Sequence, residues 1–180
     1  MDNQLKIKNK MNAIKLLLLD VDGVLTNGEI VLGGEDQEFK IYNVQDGLGI
    51  KLLSENGVQV GILTGRMSDA VKKRAKELNI KILCQGYLDK PKGFREILNR
   101  HHLNFEDVCY VGDDLLDIPV MKKAGFSIAV ANGRDEVKAV ADFVTVNQGG
   151  KGAVREVAEL ILKSQGKWES IVNRFKETEQ

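Results

Sequence analysis

Ile14-Lys15-Leu16-Leu17-Leu18-Leu19-Asp20-Val21-Asp22-Gly23-Val24-Leu25 is the stretch that decides the fold. A short apolar run that stops at two acids and a glycine predicts a strand, residues 16–20, buried on both faces of a parallel sheet. Open α/β sheets bind ligands at the C-terminal edge of their strands, which is where Asp20 and Asp22 fall. In an extended strand, residues i and i+2 share a face. Two carboxylates at that spacing suit a hard cation such as Mg²⁺, which takes oxygen ligands and keeps several waters.

Downstream, strand-like and helix-like patterns alternate. Strands are predicted at 58–63, 80–85, 108–111, 126–130 and 143–146. Helices are predicted at 46–56 (Asp46 as N-cap, Gly57 just beyond the end), 68–78, 92–101, 117–124, 136–141 and 153–164. The alternation implies βαβ units. The predicted fold class is therefore α/β: a Rossmann-like, doubly wound, mostly parallel sheet with helices on both faces. One stretch departs from it. Between about 27 and 43, two short strand-like runs flank Gly33-Gly34, which reads as a β-hairpin. It follows the Asp-x-Asp loop, so it projects from the same edge, to cover the site or to meet another subunit. The tail of about 165–180 places Trp168, Ile171, Val172 and Phe175 at helical spacing, for packing on its own core or on a neighbouring chain. Residues 1–180 are expected to form one domain, and 1–12 match no recognisable pattern.

Composition narrows the class. The chain has 180 residues, 43% hydrophobic and 29% charged, with a formal net charge of zero. That is ordinary globular composition, and it supplies no bulk field to attract nucleic acid or an anionic membrane. Lys72-Lys73-Arg74 is read as a solvated helix face. The start of the chain is polar and the leucine run too short for a signal peptide or a span, so a cytoplasmic location is expected. Cys84 and Cys109 lie in apolar runs and read as reduced, buried side chains. His101 and His102 close a helix and receive no role, and Gln85-Gly86 reads as a turn.

Four polar signals fall at expected strand ends: Asp20/Asp22, Thr64-Gly65-Arg66, Lys90, and Gly112-Asp113-Asp114 with Asp117. Each alone is weak, because Thr-Gly is usually a turn and an Asp pair is often a cap. Jointly they put acids from two strand ends beside a hydroxyl and a lysine. That set suits phosphoryl transfer, which needs a metal and a lysine to balance charge, donors for phosphate oxygens, and a nucleophilic carboxylate. Arg66 suits a bidentate contact to a carboxylate better than a lysine would.

The order Asp-x-Asp-Gly-Val, Thr-Gly-Arg, Lys, Gly-Asp-Asp-x-x-Asp resembles the haloacid dehalogenase superfamily of phosphatases. With a hairpin where most members carry a cap domain, it resembles the capless branch, in particular the 3-deoxy-D-manno-octulosonate 8-phosphate phosphatase family. The stretches that carry this are residues 20–28, 61–66, 111–121 and 149–156. The resemblance implies Asp20 as nucleophile, Asp22 as general acid and base, Thr64 and Gly65 on the phosphate, and Lys90 on both Asp20 and the phosphate. It implies Mg²⁺ held by Asp20, the Asp22 carbonyl and Asp113, with Asp114 and Asp117 in support. It further implies a phosphorylated sugar-acid substrate bound in part by Arg66, a role in lipopolysaccharide precursor synthesis, and a homotetramer whose hairpins meet at its centre. Lys151 stands where many members carry arginine, so a contact there is not implied. A nonulosonate 9-phosphate phosphatase, a phospho-accepting signalling module and an assembly module with a dead site are the competing readings. Arg66 opposes the first, the order of the motifs opposes the second, and the filled motif set opposes the third.

Overall fold

The computed structural model describes residues 3–34 and 37–177. In chain order the elements are α1 (Asn3–Asn12), β1 (Leu16–Leu19), β2 (Val31–Leu32), β3 (Glu38–Phe39), α2 (Val44–Glu55), β4 (Gln59–Leu63), α3 (Asp69–Glu77), β5 (Ile82–Cys84), α4 (Lys90–His101), β6 (Val108–Gly112), α5 (Ile118–Met121), β7 (Phe126–Ala129), α6 (Asp135–Lys138), β8 (Phe143–Val144), α7 (Ala153–Ser164) and α8 (Trp168–Glu177). Six strands form one sheet in the order β5-β4-β1-β6-β7-β8, and every pairing is parallel. The chain winds outward from β1 to β5, then returns to lay β6 on the other side of β1. The winding direction therefore reverses between β1 and β6, which is where an open α/β sheet forms its ligand crevice.

The leucine run explains both layers. Leu17 and Leu19 point into one core with Met11, Ile50, Leu53, Val157, Ile161 and Ile171. Leu16 and Leu18 point into the other with Phe94, Ile97, Val120, Met121 and Val137. A strand alternates its side chains between faces, so only an unbroken apolar run can fill two cores at once. Each fully buried leucine contributes roughly 1.5–3 kcal/mol.

Several expectations are corrected. Residues 3–12, patternless in the sequence, form α1, which packs against α7 and buries Met11 completely. Helix α2 starts two residues before the expected position, capped by Asn43, whose side chain accepts the amides of Gln45 and Asp46. Asp46 is instead buried and accepts the Arg155 amide at 2.7 Å, capping α7 across the molecule. The helix expected over 117–124 splits into a 3₁₀ turn at Leu115–Asp117 and the short α5, because the Asp117 carboxylate is drawn back onto the amides of Asp113 and Asp114. In the basic cluster Arg74 is not solvated: it sits 5.4 Å over the Tyr42 ring and reaches the Asn43 carbonyl. Cys109 is buried as expected, while Cys84 is only partly so.

The hairpin forms, with β2 antiparallel to β3 in the register Val31↔Phe39; residues 35 and 36 of its turn lie outside the described residues. The C-terminal helix packs on its own core through Ile171 and Trp168, and leaves Phe175 exposed.

Met11→Ala should lower the unfolding free energy by about 2–5 kcal/mol, the range for emptying a buried methionine site. Chemical denaturation checks it. A loss under about 0.5 kcal/mol, the level of a surface substitution, would mean that α1 is not part of the core.

Candidate active site

β1 ends at Leu19 and Asp20 continues its ladder, donating its amide to the Val111 carbonyl at 3.1 Å. The next residues fold tightly: Val24, Leu25 and Thr26 all donate their amides to the Val21 carbonyl. β6 is the parallel neighbour of β1, pairing Leu19 with Val111. The first residues past the two strands, Asp20 and Asp113, therefore meet at one edge. Lys90 reaches the same point from the first turn of α4, whose N-cap is Asp89.

The side chains form a buried ionic cluster. Lys90, 2% exposed, sets its Nζ 2.7 Å from Asp20 Oδ2 and 2.6 Å from Asp117 Oδ1. Asp117 is fully buried, and both its oxygens are taken. Oδ1 also accepts the Tyr110 hydroxyl at 2.6 Å, and Oδ2 accepts the amides of Asp113 and Asp114 at 2.9 and 3.1 Å. Burial works against the Lys90 charge, but Asp20 and Asp117 outweigh it and hold the ammonium above its ordinary value. Burial raises Asp20 to about 6 against the opposing pull of Lys90. Burial, then the charges of Asp20 and Asp117, raises Asp113 to about 8.

Asp20 Oδ1 and Asp113 Oδ1 are buried and have no hydrogen-bond partner. Asp20, Asp113 and Asp117 each offer an oxygen within 4.8 Å of the others. Asp117 is saturated, so Asp20 and Asp113 are the carboxylates open to a cation. Two orphaned oxygens, on acids that destabilise each other's charge, fit a divalent ion, which needs hard oxygen ligands and cancels that repulsion. Gly23 guards this geometry. Its φ of +86° disfavours any side chain, and a Cβ there would lie 2.0 Å from Asp113 Oδ2.

Thr64 is buried directly after β4, at the same edge. Gly65 and Arg66 follow, and Arg66 donates to Glu38 Oε2 on the hairpin at 3.0 Å. Asp22 Oδ1 accepts a hydrogen bond from Lys40. Asp114 is exposed, and its Oδ1 caps the 3₁₀ turn through the Leu115 amide at 2.7 Å. Gly149 and Gly150 press on the loop after β1: the Gly150 amide donates to the Val24 carbonyl, and a Cβ on Gly149 would lie 1.7 Å from the Gly23 carbonyl oxygen. Lys151 is exposed. A cleft of about 900 Å³ opens between β3 and α3, lined by Glu38, Lys40, Tyr42, Met67, Ser68 and Arg74 among others.

Sequence reasoning missed Glu38, Lys40 and Tyr110. Tyr110 carried a usable signal, since a tyrosine in a buried strand needs a partner for its hydroxyl. Glu38 and Lys40 carried only their i, i+2 spacing.

The comparisons agree with the geometry. A family model described as haloacid dehalogenase-like hydrolase matches residues 83–157. The 3-deoxy-D-manno-octulosonate 8-phosphate phosphatase KdsC of Salmonella typhi is 45% identical over 161 residues, 89% of this chain and 86% of that one. Its counterpart in Escherichia coli K12 is 46% identical over 158 residues, 88% and 84%. The chain belongs to this phosphatase family. The crystal structure of the Moraxella catarrhalis phosphatase, in complex with a magnesium ion, a phosphate ion and KDO, superimposes with a TM-score of 0.92 at 42% identity, covering 94% of this chain and 98% of that one. Family membership makes the chain a phosphoric monoester hydrolase with Mg²⁺ as its cofactor, and removes the signalling-module reading. Among the described residues, no helix is long and apolar enough to cross a membrane.

Because Asp20 and Asp113 have folded pKa values raised above their ordinary ones, their stabilising contribution is full below about 4. It is lost as pH rises through about 6 and about 8. The metal-free protein should therefore lose thermal stability across that window. Added Mg²⁺ should raise the melting temperature more at pH 8 than at pH 5, where protons compete for the same oxygens. Calorimetry with and without chelator checks this; an equal Mg²⁺ increment at both pH values contradicts it.

Proposed function

We propose that the chain hydrolyses 3-deoxy-D-manno-octulosonate 8-phosphate to the free sugar acid and inorganic phosphate, through a phosphoaspartyl intermediate, as a single catalytic domain over residues 1–180. The observation that carries this is the Asp20–Lys90–Asp117 cluster with its two orphaned oxygens, in a chain 45% identical to KdsC.

Asp20 Oδ1 is the oxygen open to the cation, so Oδ2, beside the Lys90 ammonium, is the attacking atom. It forms a bond to phosphorus as the ester oxygen departs, and Asp22 gives that oxygen its proton. Water then attacks the phosphoaspartate, Asp22 takes a proton from it, and Asp20 is regenerated. Asp20 and Asp113, with the Asp22 carbonyl, would hold Mg²⁺, which would neutralise charge on the phosphate oxygens. Thr64, the Gly65 backbone and Lys90 bind those oxygens. Arg66, in the loop after β4 and beside Glu38, binds the sugar carboxylate. Asp117 fixes Lys90 and the Asp113 loop, and Asp114 orders the start of the following turn. The 900 Å³ cleft has the dimensions of a small-molecule site, and it adjoins the catalytic edge through Glu38 and Lys40, which line it and contact Arg66 and Asp22. The reaction belongs to cytoplasmic lipopolysaccharide precursor synthesis.

Phosphate release with Mg²⁺ should be highest on the octulosonate ester in a panel that also holds a nonulosonate 9-phosphate, a hexose 6-phosphate and an aryl phosphate. Asp20→Asn should lower turnover by at least about 10³-fold, as expected for a lost nucleophile. A panel led by the nonulosonate ester would transfer the reading to that substrate.

The hairpin supports self-association as a homotetramer. Ile30, Val31, Leu32, Phe39, Ile41 and Val44 are exposed on and beside it, Leu32 at 75%, and exposed apolar side chains concentrated on so short a segment favour an interface. Light scattering should give four times the 20.0 kDa chain mass. Leu32→Lys should lower it; a 20.0 kDa particle in the unaltered protein would remove the tetramer.

A further inference from the structure

Four side chains of alternating charge run in line across the mouth of the site. Arg66 Nη2 lies 3.0 Å from Glu38 Oε2, Glu38 Oε1 lies 2.7 Å from Lys40 Nζ, and Lys40 donates to Asp22 Oδ1. The two middle members come from the hairpin, two residues apart and so on one face of an extended chain. Neither belongs to a motif, and neither has a role in the chemistry described above.

Their burial separates them from ordinary surface ion pairs. The Lys40 side chain is 1% exposed, less than either acid it touches. Burying an ammonium is costly unless it is paired, and a hairpin strand facing solvent offers a lysine easier places to go. A residue that breaks the local rule in this way marks a functional position. Its contact is also specific, because Lys40 takes one oxygen of Asp22. That leaves Oδ2 as the oxygen that meets the leaving group, with the carboxyl plane held by the Oδ1 contact.

At the other end the arrangement is loose. Arg66 keeps 41% of its side chain exposed and is engaged by Glu38 through one nitrogen. A guanidinium binds a carboxylate best through two parallel hydrogen bonds. An incoming carboxylate therefore makes a better partner for Arg66 than Glu38 does, and Glu38 keeps Lys40 when it is displaced.

We propose that the hairpin supplies two working parts of the site: Lys40 is a positioning residue that pins Asp22, and Glu38 occupies Arg66 until the carboxylate of the substrate replaces it. This rests on the sugar-acid reading above. It makes the hairpin a determinant of turnover and of selectivity for acids, in addition to any part in assembly.

The test compares steady-state kinetics on the octulosonate 8-phosphate and on a hexose 6-phosphate, which has no carboxylate. Lys40→Met should lower kcat for both esters by on the order of tenfold to a hundredfold, the scale of a misplaced acid/base group, with KM for the octulosonate ester within about twofold. Lys40→Arg should recover a large part of that loss. Glu38→Gln should lower KM for the octulosonate ester by about two- to fivefold, the worth of an exposed ion pair, and leave KM for the hexose ester unchanged. Should Lys40→Met fail to fold, Lys40→Arg and Glu38→Gln decide the matter. Full turnover in Lys40→Met, no recovery in Lys40→Arg, or an equal KM shift for both esters in Glu38→Gln would overturn the proposal while the wild-type activity stands. A wild-type protein inactive on both esters removes the functional reading and this proposal together.

Discussion

The Lys90 ammonium, buried between Asp20 and Asp117, is the interaction on which the rest of the site depends. Three acids converge at the sheet edge in a region nearly closed to water, and carboxylates that close cannot all stay charged without cations. Lys90 offsets one of the two charges of the pair it touches. The remaining imbalance, borne by Asp20 and Asp113, is what a divalent ion corrects. Breaking such a buried pair by removing one partner costs about 3–5 kcal/mol, so the cluster supports the fold as well as the chemistry.

Asp117 gives the cluster its rigidity. Its oxygens accept from Lys90, Tyr110 and two backbone amides, which fixes it in place rather than leaving it reactive. The same contacts shape the turn that presents Asp113. One saturated carboxylate therefore ties the loop after β6 to the first turn of α4, and through Lys90 to the end of β1. Pre-organisation of this kind lets charge be stabilised without reorganisation during reaction.

The hairpin stands where a cap would otherwise close the site, and it carries two kinds of surface. Its apolar side chains are exposed to solvent. Glu38 and Lys40 turn inward to the loops that hold Asp22 and Arg66. A two-stranded ribbon of two residues per strand is marginal by itself, so these inward ion pairs and any outward partner together set its position.

What the sequence determined about this protein is local. The leucine run, its terminal acids and the alternation of strand and helix patterns state a doubly wound parallel sheet, because burial on both faces and the chemistry of a strand end are written in adjacent residues. The same reading picked out Asp20, Asp22, Thr64, Lys90 and Asp113, and the parallel pairing of β1 with β6 brings the first and last of these together. Only the tertiary structure decided the rest. Asp46 caps a helix that begins more than a hundred residues later, α1 earns its helix by packing on α7, and Glu38 and Lys40 find Arg66 and Asp22 through a fold of the hairpin. Those partners are distant in the chain and are chosen by packing. No local period or spacing encodes them.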